Sequence, residues 1–414
     1  MKASITTFFE SGFRTVAVLA VCQALSMTGV SVVMMTTALA GAYLSNDPQL
    51  ATLPLAMQFV ATMCAAIPAA LLMRRVGRRI GFSLGQLLGI IGGVLSTYAL
   101  FENNFSMFIA GAVIIGFHNA FWSYYRFAAA EATSSAHRSK AISYVLAGGV
   151  IAAVVGPELS ILTRESFAPV LFAGCYTSMS IISLVAIVLL QFGRLSKPTV
   201  TLHNARPRAL PEIMRQPKFV LAVFSAMVGY GVMIHIMSVT PLSMVDRGLT
   251  FEDAAFVIEW HALAMFAPSF FSGSFVKRVG AAPVISLGLA LNIVCLAVNL
   301  AGTELLNYWI ALAALGLGWN FMFVGGTSLL TETYRPEEKE KVQAINDFLI
   351  FATISLATFS SGALHSTMGW SAVNAAMTLP LALALSVVLW FITKQRNASF
   401  VQVAQTKDLE KLEG

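Results

Sequence analysis

The sequence predicts an all-α membrane protein of twelve transmembrane helices, arranged as two pseudo-symmetric six-helix bundles with both termini cytoplasmic. Three observations carry that expectation. The first is an internal repeat. Leu72–Gly85, LMRRVGRRIGFSLG, is a short basic turn between two long apolar runs, and it returns as Phe275–Gly288, FVKRVGAAPVISLG. In this register Arg75/Arg278, Val76/Val279, Gly77/Gly280, Ser83/Ser286, Leu84/Leu287 and Gly85/Gly288 are identical. A period near half the chain, carried by a loop between apolar segments, marks a duplicated membrane protein. The second observation is composition. Hydrophobic residues make up 57% and charged residues 11%, against about 25% charged in soluble domains, which excludes a water-soluble fold. The third is a series of apolar windows, each near the ~20 residues that cross a bilayer as helix.

Taken in order, the windows are 16–40, 51–73, 82–101, 105–130, 140–162 and 168–192, then 218–241, 254–276, 283–302, 307–331, 343–364 and 370–393. Turn chemistry marks several breaks: Asn46-Asp47-Pro48, Glu102-Asn103-Asn104, Asp246-Arg247-Gly248 and Gly302-Thr303-Glu304. The longest polar stretch begins at Gly193 and contains Pro198, Pro207, Pro211 and Pro217, the composition of a linker. The expected organisation is therefore a bundle at 1–192, a cytoplasmic linker at 193–217, a second bundle at 218–394 and a polar tail at 395–414. With the N-terminus inside, all but three of the 26 Lys and Arg residues face the cytoplasm; Arg164 and Arg247 lie outside and Arg126 falls within a span. That bias sets the orientation.

A net charge of +6 does not signal nucleic acid, because the basic residues are confined to loops. Lys2 and Arg14 ahead of an apolar run resemble a signal peptide, but the run to Leu39 is too long for one and reads as a retained first span. Cys22, Cys64, Cys175 and Cys295 sit inside apolar segments without paired spacing, so they read as small buried side chains. No phosphate-cradling GxxxxGK[ST] loop and no HExxH motif occurs. No enzyme activity, cofactor or metal is expected.

Six plus six helices, a basic linker and a basic turn echoed in the second half resemble the major facilitator superfamily over the whole chain. The signature of that family between spans 2 and 3 is Gly-x-Leu-x-Asp-Arg-x-Gly-Arg-Arg. The corresponding residues here are Ala70 to Arg79, in which Leu72, Arg75, Gly77, Arg78 and Arg79 match. The opening Gly is Ala70 and the Asp is Arg74, so the cytoplasmic lock to which that Asp contributes must be built differently. The Arg usual early in span 4 is absent, and Gly156-Pro157 is only a remnant of the signature of proton-driven exporters. The strings TLPLAMQF (52–59), FWSYYRFAAAEA (121–132), EWHALAMFAPSF (259–270) and GLGWNFMFVGGTSLLTETY (316–334) are similar to a bacterial subgroup that includes proposed riboflavin-uptake carriers.

Spans 4 and 10 also repeat, as Asn119/Asn320, Glu131/Glu332 and Lys140/Lys341. The asparagines fall near mid-membrane, where a paired-repeat carrier places its solute. Asn119, Trp122 and Arg126 share one helical face; His118, Trp122 and Tyr125 share an overlapping one. A guanidinium facing lipid is costly, so Arg126 faces the interior or a wet cavity. It is either a solute contact or an ion-pair partner, for instance of Asp347. Candidate solute-binding residues are Asn119, Trp122, Tyr125, Arg126, His261, Trp319, Asn320 and Gln23, with aromatic faces and hydrogen-bonding groups suited to a planar or anionic organic solute. Gln58 is a further candidate lining residue from span 2.

An intramembrane carboxylate is costly unless neutral, paired or hydrated. Glu259 in span 8, with His235 at similar depth in span 7, is therefore a candidate proton-coupling site. Its rival reading is an idle, hydrated group near the outer interface. Glu158, beside the helix-bending Gly156-Pro157, and Asp347 at the start of span 11 are the other candidates. Arg75, Gly77, Arg78, Arg79, Arg278, Gly280, Glu131 and Glu332 form an expected cytoplasmic gate, whose charged members make salt bridges between the two halves in the outward-open state, against simple interfacial anchoring by snorkelling side chains.

These readings converge on a monomeric secondary transporter of a small organic solute in a bacterial inner membrane, working by alternating access and coupled to protons. Uptake of a vitamin-like solute is favoured. The alternatives are proton-antiport efflux of drugs or metabolites, and a non-transporting sensor or lipid-handling protein on a carrier scaffold.

Overall fold

A computed structural model describes residues 2–133, 138–195 and 208–413. Sixteen α-helices follow one another: α1 Lys2–Leu44, α2 Leu53–Val76, α3 Arg78–Phe101, α4 Phe105–Trp122, α5 Tyr125–Glu131, α6 Arg138–Thr163, α7 Ala173–Leu190, α8 Leu210–Met214, α9 Pro217–Met237, α10 Thr240–Asp246, α11 Phe251–Phe266, α12 Ser269–Val279, α13 Ala281–Ala301, α14 Leu305–Thr331, α15 Lys339–Ala376 and α16 Thr378–Glu413. No strand occurs among the described residues. In a bilayer every backbone polar group must be satisfied within its own segment, which is why such apolar sequence folds as helix. Among the described residues nine helical stretches are long and apolar enough to cross a membrane, or ten if the bent pair α11–α12 is one span.

The turn residues act through identifiable caps. The Asp47 carboxylate accepts from the Gln49 N–H, and the Asn104 side chain accepts from Met107 at the start of α4. Thr250 and Asp253 form a capping box that opens α11, and Glu304 and Asn307 form one that opens α14. Gly248 takes the left-handed backbone at φ 81.

Several expected boundaries shift. Span 4 breaks at Ser123–Tyr124 between α4 and α5, and span 7 ends at Met237 before resuming as α10. Span 8 is divided by Pro268 into α11 and α12, bent by 43°, because proline offers no N–H to the helix ladder. The expected sixth span is helical only from Ala173, as α7, after an irregular segment. Helix α16 runs on through the expected tail to Glu413. Of the expected linker, residues 196–207 lie outside the described residues, and α8 occupies part of the remainder.

The repeat is visible in the backbone. Gly77 (φ 92, ψ 159) joins α2 to α3, and Gly280 (φ 91, ψ 162) joins α12 to α13. That region is essentially open only to glycine. Each copy then packs its helices in the same way. A Cβ on Gly116 of α4 would strike the Gln58 carbonyl of α2, and one on Gly316 of α14 would strike the His261 carbonyl of α11. These glycines let two helix backbones approach closely, the packing mode of membrane helices.

Helices α1–α7 meet α9–α16 where α1 lies against α10, α2 against α15 and α6 against α11. Among the described residues two polar contacts join the groups. The Thr52 hydroxyl donates to the Thr358 carbonyl at 2.8 Å, and Arg164 lies 3.8 Å from Glu252. The Arg164 guanidinium also sits 4.7 Å over the Phe251 ring. Both contacts are at the end of the molecule away from the basic turns. At the basic end, Arg78 pairs with Glu131 at 2.6 Å and Lys218 with Glu332 at 2.6 Å. The gate carboxylates are expected to bridge the two halves in the outward-open state. In this conformation each pairs inside its own helix group, because its basic partner lies on a neighbouring helix of that group. Arg75 and Arg79 are exposed, and Arg79 donates to the Gly193 carbonyl.

Candidate functional site

The site begins with the break after Trp122. Helix α4 stops, Ser123 and Tyr124 form a turn with both residues still in the right-handed helical region, and α5 carries Arg126. The Trp122 indole N–H donates to the Asn119 side-chain oxygen at 3.1 Å. The Arg126 guanidinium lies 4.8 Å over the Phe127 ring, and its Nε is buried without a hydrogen-bond partner. Asp347 of α15, exposed and held by the Asn346 amide at 3.0 Å, is within electrostatic reach of Arg126. Both charges act on the hydroxyls of Tyr124 and Tyr230.

Tyr230 of α9 links these charges to an aromatic cluster. Its ring meets Trp319 edge-on at 5.0 Å and Phe323 edge-on at 5.3 Å. Trp319 and Phe323, one turn apart on α14, stack at 5.2 Å with 11° between planes, and Phe266 of α11 packs edge-on to Trp319 at 6.1 Å. Tyr230, Phe323 and Phe266 are half-buried, while the Trp319 N–H is buried without a partner. The cluster therefore brings a cation, a carboxylate, phenolic hydroxyls and aromatic faces together from five helices in both halves of the chain. Ring faces bind planar solutes by stacking, and the charged groups fix a polar edge.

Of the residues singled out in the sequence, Arg126, Trp319 and Asp347 come together here. Tyr230, Phe323, Phe266 and Tyr124 were not anticipated. The i, i+4 pair Trp319/Phe323 was the available signal, but Tyr230 and Phe266 reach the cluster only through tertiary packing.

The remaining candidates lie elsewhere. Tyr125 is fully buried inside α1–α7, where its hydroxyl accepts from Gln86 at 2.8 Å and its ring meets Phe82 edge-on. Asn320 is 1% exposed and spans the α11–α12 break, donating to the Met265 carbonyl at 2.7 Å and the Ser269 hydroxyl at 2.8 Å. His261 is fully buried and ties α11 to α14 through the Leu312 carbonyl at 2.8 Å. His235 is tied to the Ala357 carbonyl at 3.0 Å rather than to Glu259. Gln23 is buried on α1, and Gln58 is buried with both side-chain polar atoms unpartnered. Glu259 is half-buried, and its electrostatic neighbour is the exposed Glu158 across the contact of α6 with α11. No group of three or more His, Cys, Asp or Glu residues suited to a metal occurs among the described residues.

Outside the spans, one charged cluster organises the basic end. Glu338 has no exposed surface and accepts from the Arg208 N–H at 2.8 Å, from its guanidinium at 2.9 and 2.7 Å, and from the Arg335 N–H at 2.9 Å. Those bonds, from the Arg208 guanidinium first, hold its carboxyl well below the usual carboxylate range.

Comparison with known proteins fits this architecture. Residues 19–296 and 244–411 match the Major Facilitator Superfamily. A riboflavin transporter, RfnT, of Brucella anthropi is 36% identical over 389 residues, covering 93% of this chain and 97% of that protein. Two uncharacterized MFS-type transporters of Bacillus subtilis, YdeG and YddS, are each 26% identical, over 91% and 86% of this chain and the same shares of their own lengths.

Proposed function

The chain belongs to the Major Facilitator Superfamily, and we propose that this multi-pass transporter carries a flavin-like vitamin into the cell by proton-coupled alternating access. The observation that carries the reading is the cluster of Arg126, Asp347, Tyr230, Trp319, Phe323 and Phe266, drawn from both halves. A tricyclic ring stacks on such faces, and the guanidinium and phenols meet its carbonyl and ring-nitrogen edge. The 36% identity to a riboflavin transporter supports the same solute class.

The proposed topology has twelve spans. Lys341–Gln395 is 55 residues long, about 80 Å as helix and more than twice the ~30 Å hydrocarbon core. It therefore counts as two spans, divided near Gly369 at φ 77. The bent pair α11–α12 counts as one span and α6 supplies another. The basic turns face the cytoplasm of a bacterial inner membrane. The contacts Thr52–Thr358 and Arg164–Glu252 then close the outer end, which makes this an inward-facing conformation. Outward opening breaks both and draws the basic ends together. The α6–α11 seam, with Glu158 and Glu259, is where proton binding would bias that exchange. Arg126, Asp347 and the rings serve a single central site in a monomer.

The test is uptake of riboflavin into proteoliposomes with and without an imposed inward proton gradient. Accumulation that follows the gradient is expected. Efflux alone would reverse the direction, and binding without transport would leave a sensor.

A further inference from the structure

A second site lies apart from the central cluster. A hollow of about 520 Å³ opens at the end away from the basic turns, with Ala42, Pro48 and Ala51 on one side and Asp246, His365 and Trp370 on the other. It thus straddles the seam between the two halves, beside the Thr52–Thr358 bond. Gly362, which also lines it, packs directly on Thr52. The volume falls within the ~300–1,000 Å³ of small-molecule pockets.

The wall contains polar groups with unmet bonding capacity. His365 Nε2 lies 3.0 Å from an Asp246 carboxylate oxygen, which leaves its Nδ1 buried without a partner. Trp370 is 1% exposed, its ring packs on Tyr308 at 5.2 Å, and its indole N–H has no partner. An unpartnered buried polar atom is costly, and folded proteins keep few of them. Two in the wall of one hollow point to a bound group that meets them.

The chemistry of the wall selects that group. Asp246 and Arg247 bring one charge of each sign, so a neutral ligand fits. Asp246 offers acceptor atoms, Trp370 a donor, and neutral His365, whose Nε2–H donates to Asp246, a second acceptor at Nδ1. A hydroxyl both donates and accepts, so a chain of adjacent hydroxyls satisfies such a mixed set. A phosphate would be repelled by Asp246, and an apolar solute would leave the orphans unmet. We propose that this hollow is an outer docking site for a neutral polyhydroxylated chain of the sugar-alcohol class, held by Asp246, His365 and Trp370. In the flavin reading, on which this assignment to the solute rests, the group is the hydroxylated side chain that enters ahead of the ring. Because the hollow lies on the closed seam, an occupant there engages both halves before the outer end opens.

The test uses ribitol, riboflavin and lumichrome, the last a flavin-like ring without the hydroxylated chain. Saturation-transfer NMR of ribitol on the purified full chain is expected to give a signal that falls at least fivefold in Asp246→Asn and in Trp370→Phe. Trp370→Phe keeps an aromatic ring against Tyr308 and removes the indole N–H together with its five-membered ring, so the melting temperature is followed in parallel. Both variants should raise the riboflavin KM about tenfold at unchanged kcat and leave lumichrome binding alone. No ribitol signal, or one unchanged in both variants, overturns the site. An equal loss of lumichrome binding overturns it too, since the effect would then lie in the ring or the fold. If ribitol binds as expected but riboflavin is not transported, the polyol site stands and the flavin reading falls.

Discussion

Replacing Phe323 by leucine separates solute recognition from helix packing. Phe323 stacks on Trp319 at 5.2 Å and 11° and meets Tyr230 edge-on at 5.3 Å. Each ring pair contributes about 0.5–1.5 kcal/mol beyond its burial, so two pairs amount to ~1–3 kcal/mol. Leucine refills most of the volume, and such swaps cost less than about 1.5 kcal/mol in packing. The side chain is half-buried, so the expected loss of stability sits near the lower end of the ring-pair range. For the solute, stacking on one aromatic face is worth about 1–3 kcal/mol by the measure of nucleobases. At 1.4 kcal/mol per decade this weakens binding roughly 5- to 150-fold. The assay is quenching of riboflavin fluorescence by purified protein, with the melting temperature followed in parallel. Phe323→Trp is the control that keeps a ring, and near-wild-type affinity is expected of it. If Phe323→Leu lowers the melting temperature but leaves the riboflavin Kd unchanged, the rings are packing only and the central site lies elsewhere.

Arg126→Ala should abolish riboflavin binding in protein that still reaches the membrane. Arg126→Lys, which keeps the charge but not the planar fork, should recover only part of it; wild-type affinity in the alanine variant would confine Arg126 to Asp347. Glu259→Gln should lose accumulation driven by a pH gradient while retaining riboflavin exchange. Full accumulation there would move coupling to Glu158 or Asp347. Gly280→Ala places a Cβ at φ 91, ψ 162 and should lower stability by about 1–3 kcal/mol, seen as a lower melting temperature; an unchanged value would mean the turn rearranges freely. Glu338 carries a pH prediction. Its folded pKa is depressed from the model-compound value of 4.5, so its contribution is complete above that pH and fades as the pH falls through the folded value. The melting temperature of Glu338→Gln should therefore lie below wild type at a constant interval from pH 5 to 8, with the gap closing in stronger acid. A gap that varies between pH 6 and 8 would contradict this.

Helical class, basic turns and duplication were legible because each leaves a local mark: long apolar windows, Gly77 and Gly280 in one register, and asparagine or threonine at the caps. Breaks inside spans were less so. Pro268 announced its kink, but the turn at Ser123–Tyr124 has no proline or glycine to signal it. Asn320, His261 and Tyr125, also singled out for their polarity, lie outside the cluster. Each of these buried groups satisfies a backbone or side-chain partner within the bundle, which is the ordinary fate of polar atoms away from water. The rings that matter come from α9, α11 and α14, and their convergence is a property of packing.

The repeat register explains why the frame and the site read so differently. Aligning Asn119 with Asn320 sets Arg126 against Thr327, His118 against Trp319 and Trp122 against Phe323; aligning Gly77 with Gly280 sets Met27 against Tyr230 and Met63 against Phe266. The identical positions are turns and close helix approaches, where geometry leaves little choice of residue. The divergent ones are the members of the central cluster. His118, opposite Trp319, is buried and bonds to the Gly85 carbonyl at 2.9 Å, so the first copy spends that position on packing while the second presents a ring. Duplication thus supplied a scaffold with two equivalent walls, and their divergence made one wall cationic and the other aromatic. In the proposed reading, a solute held between them touches Arg126 on one half and Tyr230 and Phe323 on the other. Such an occupant couples its own binding to the relative position of the halves, which is the physical requirement for alternating access.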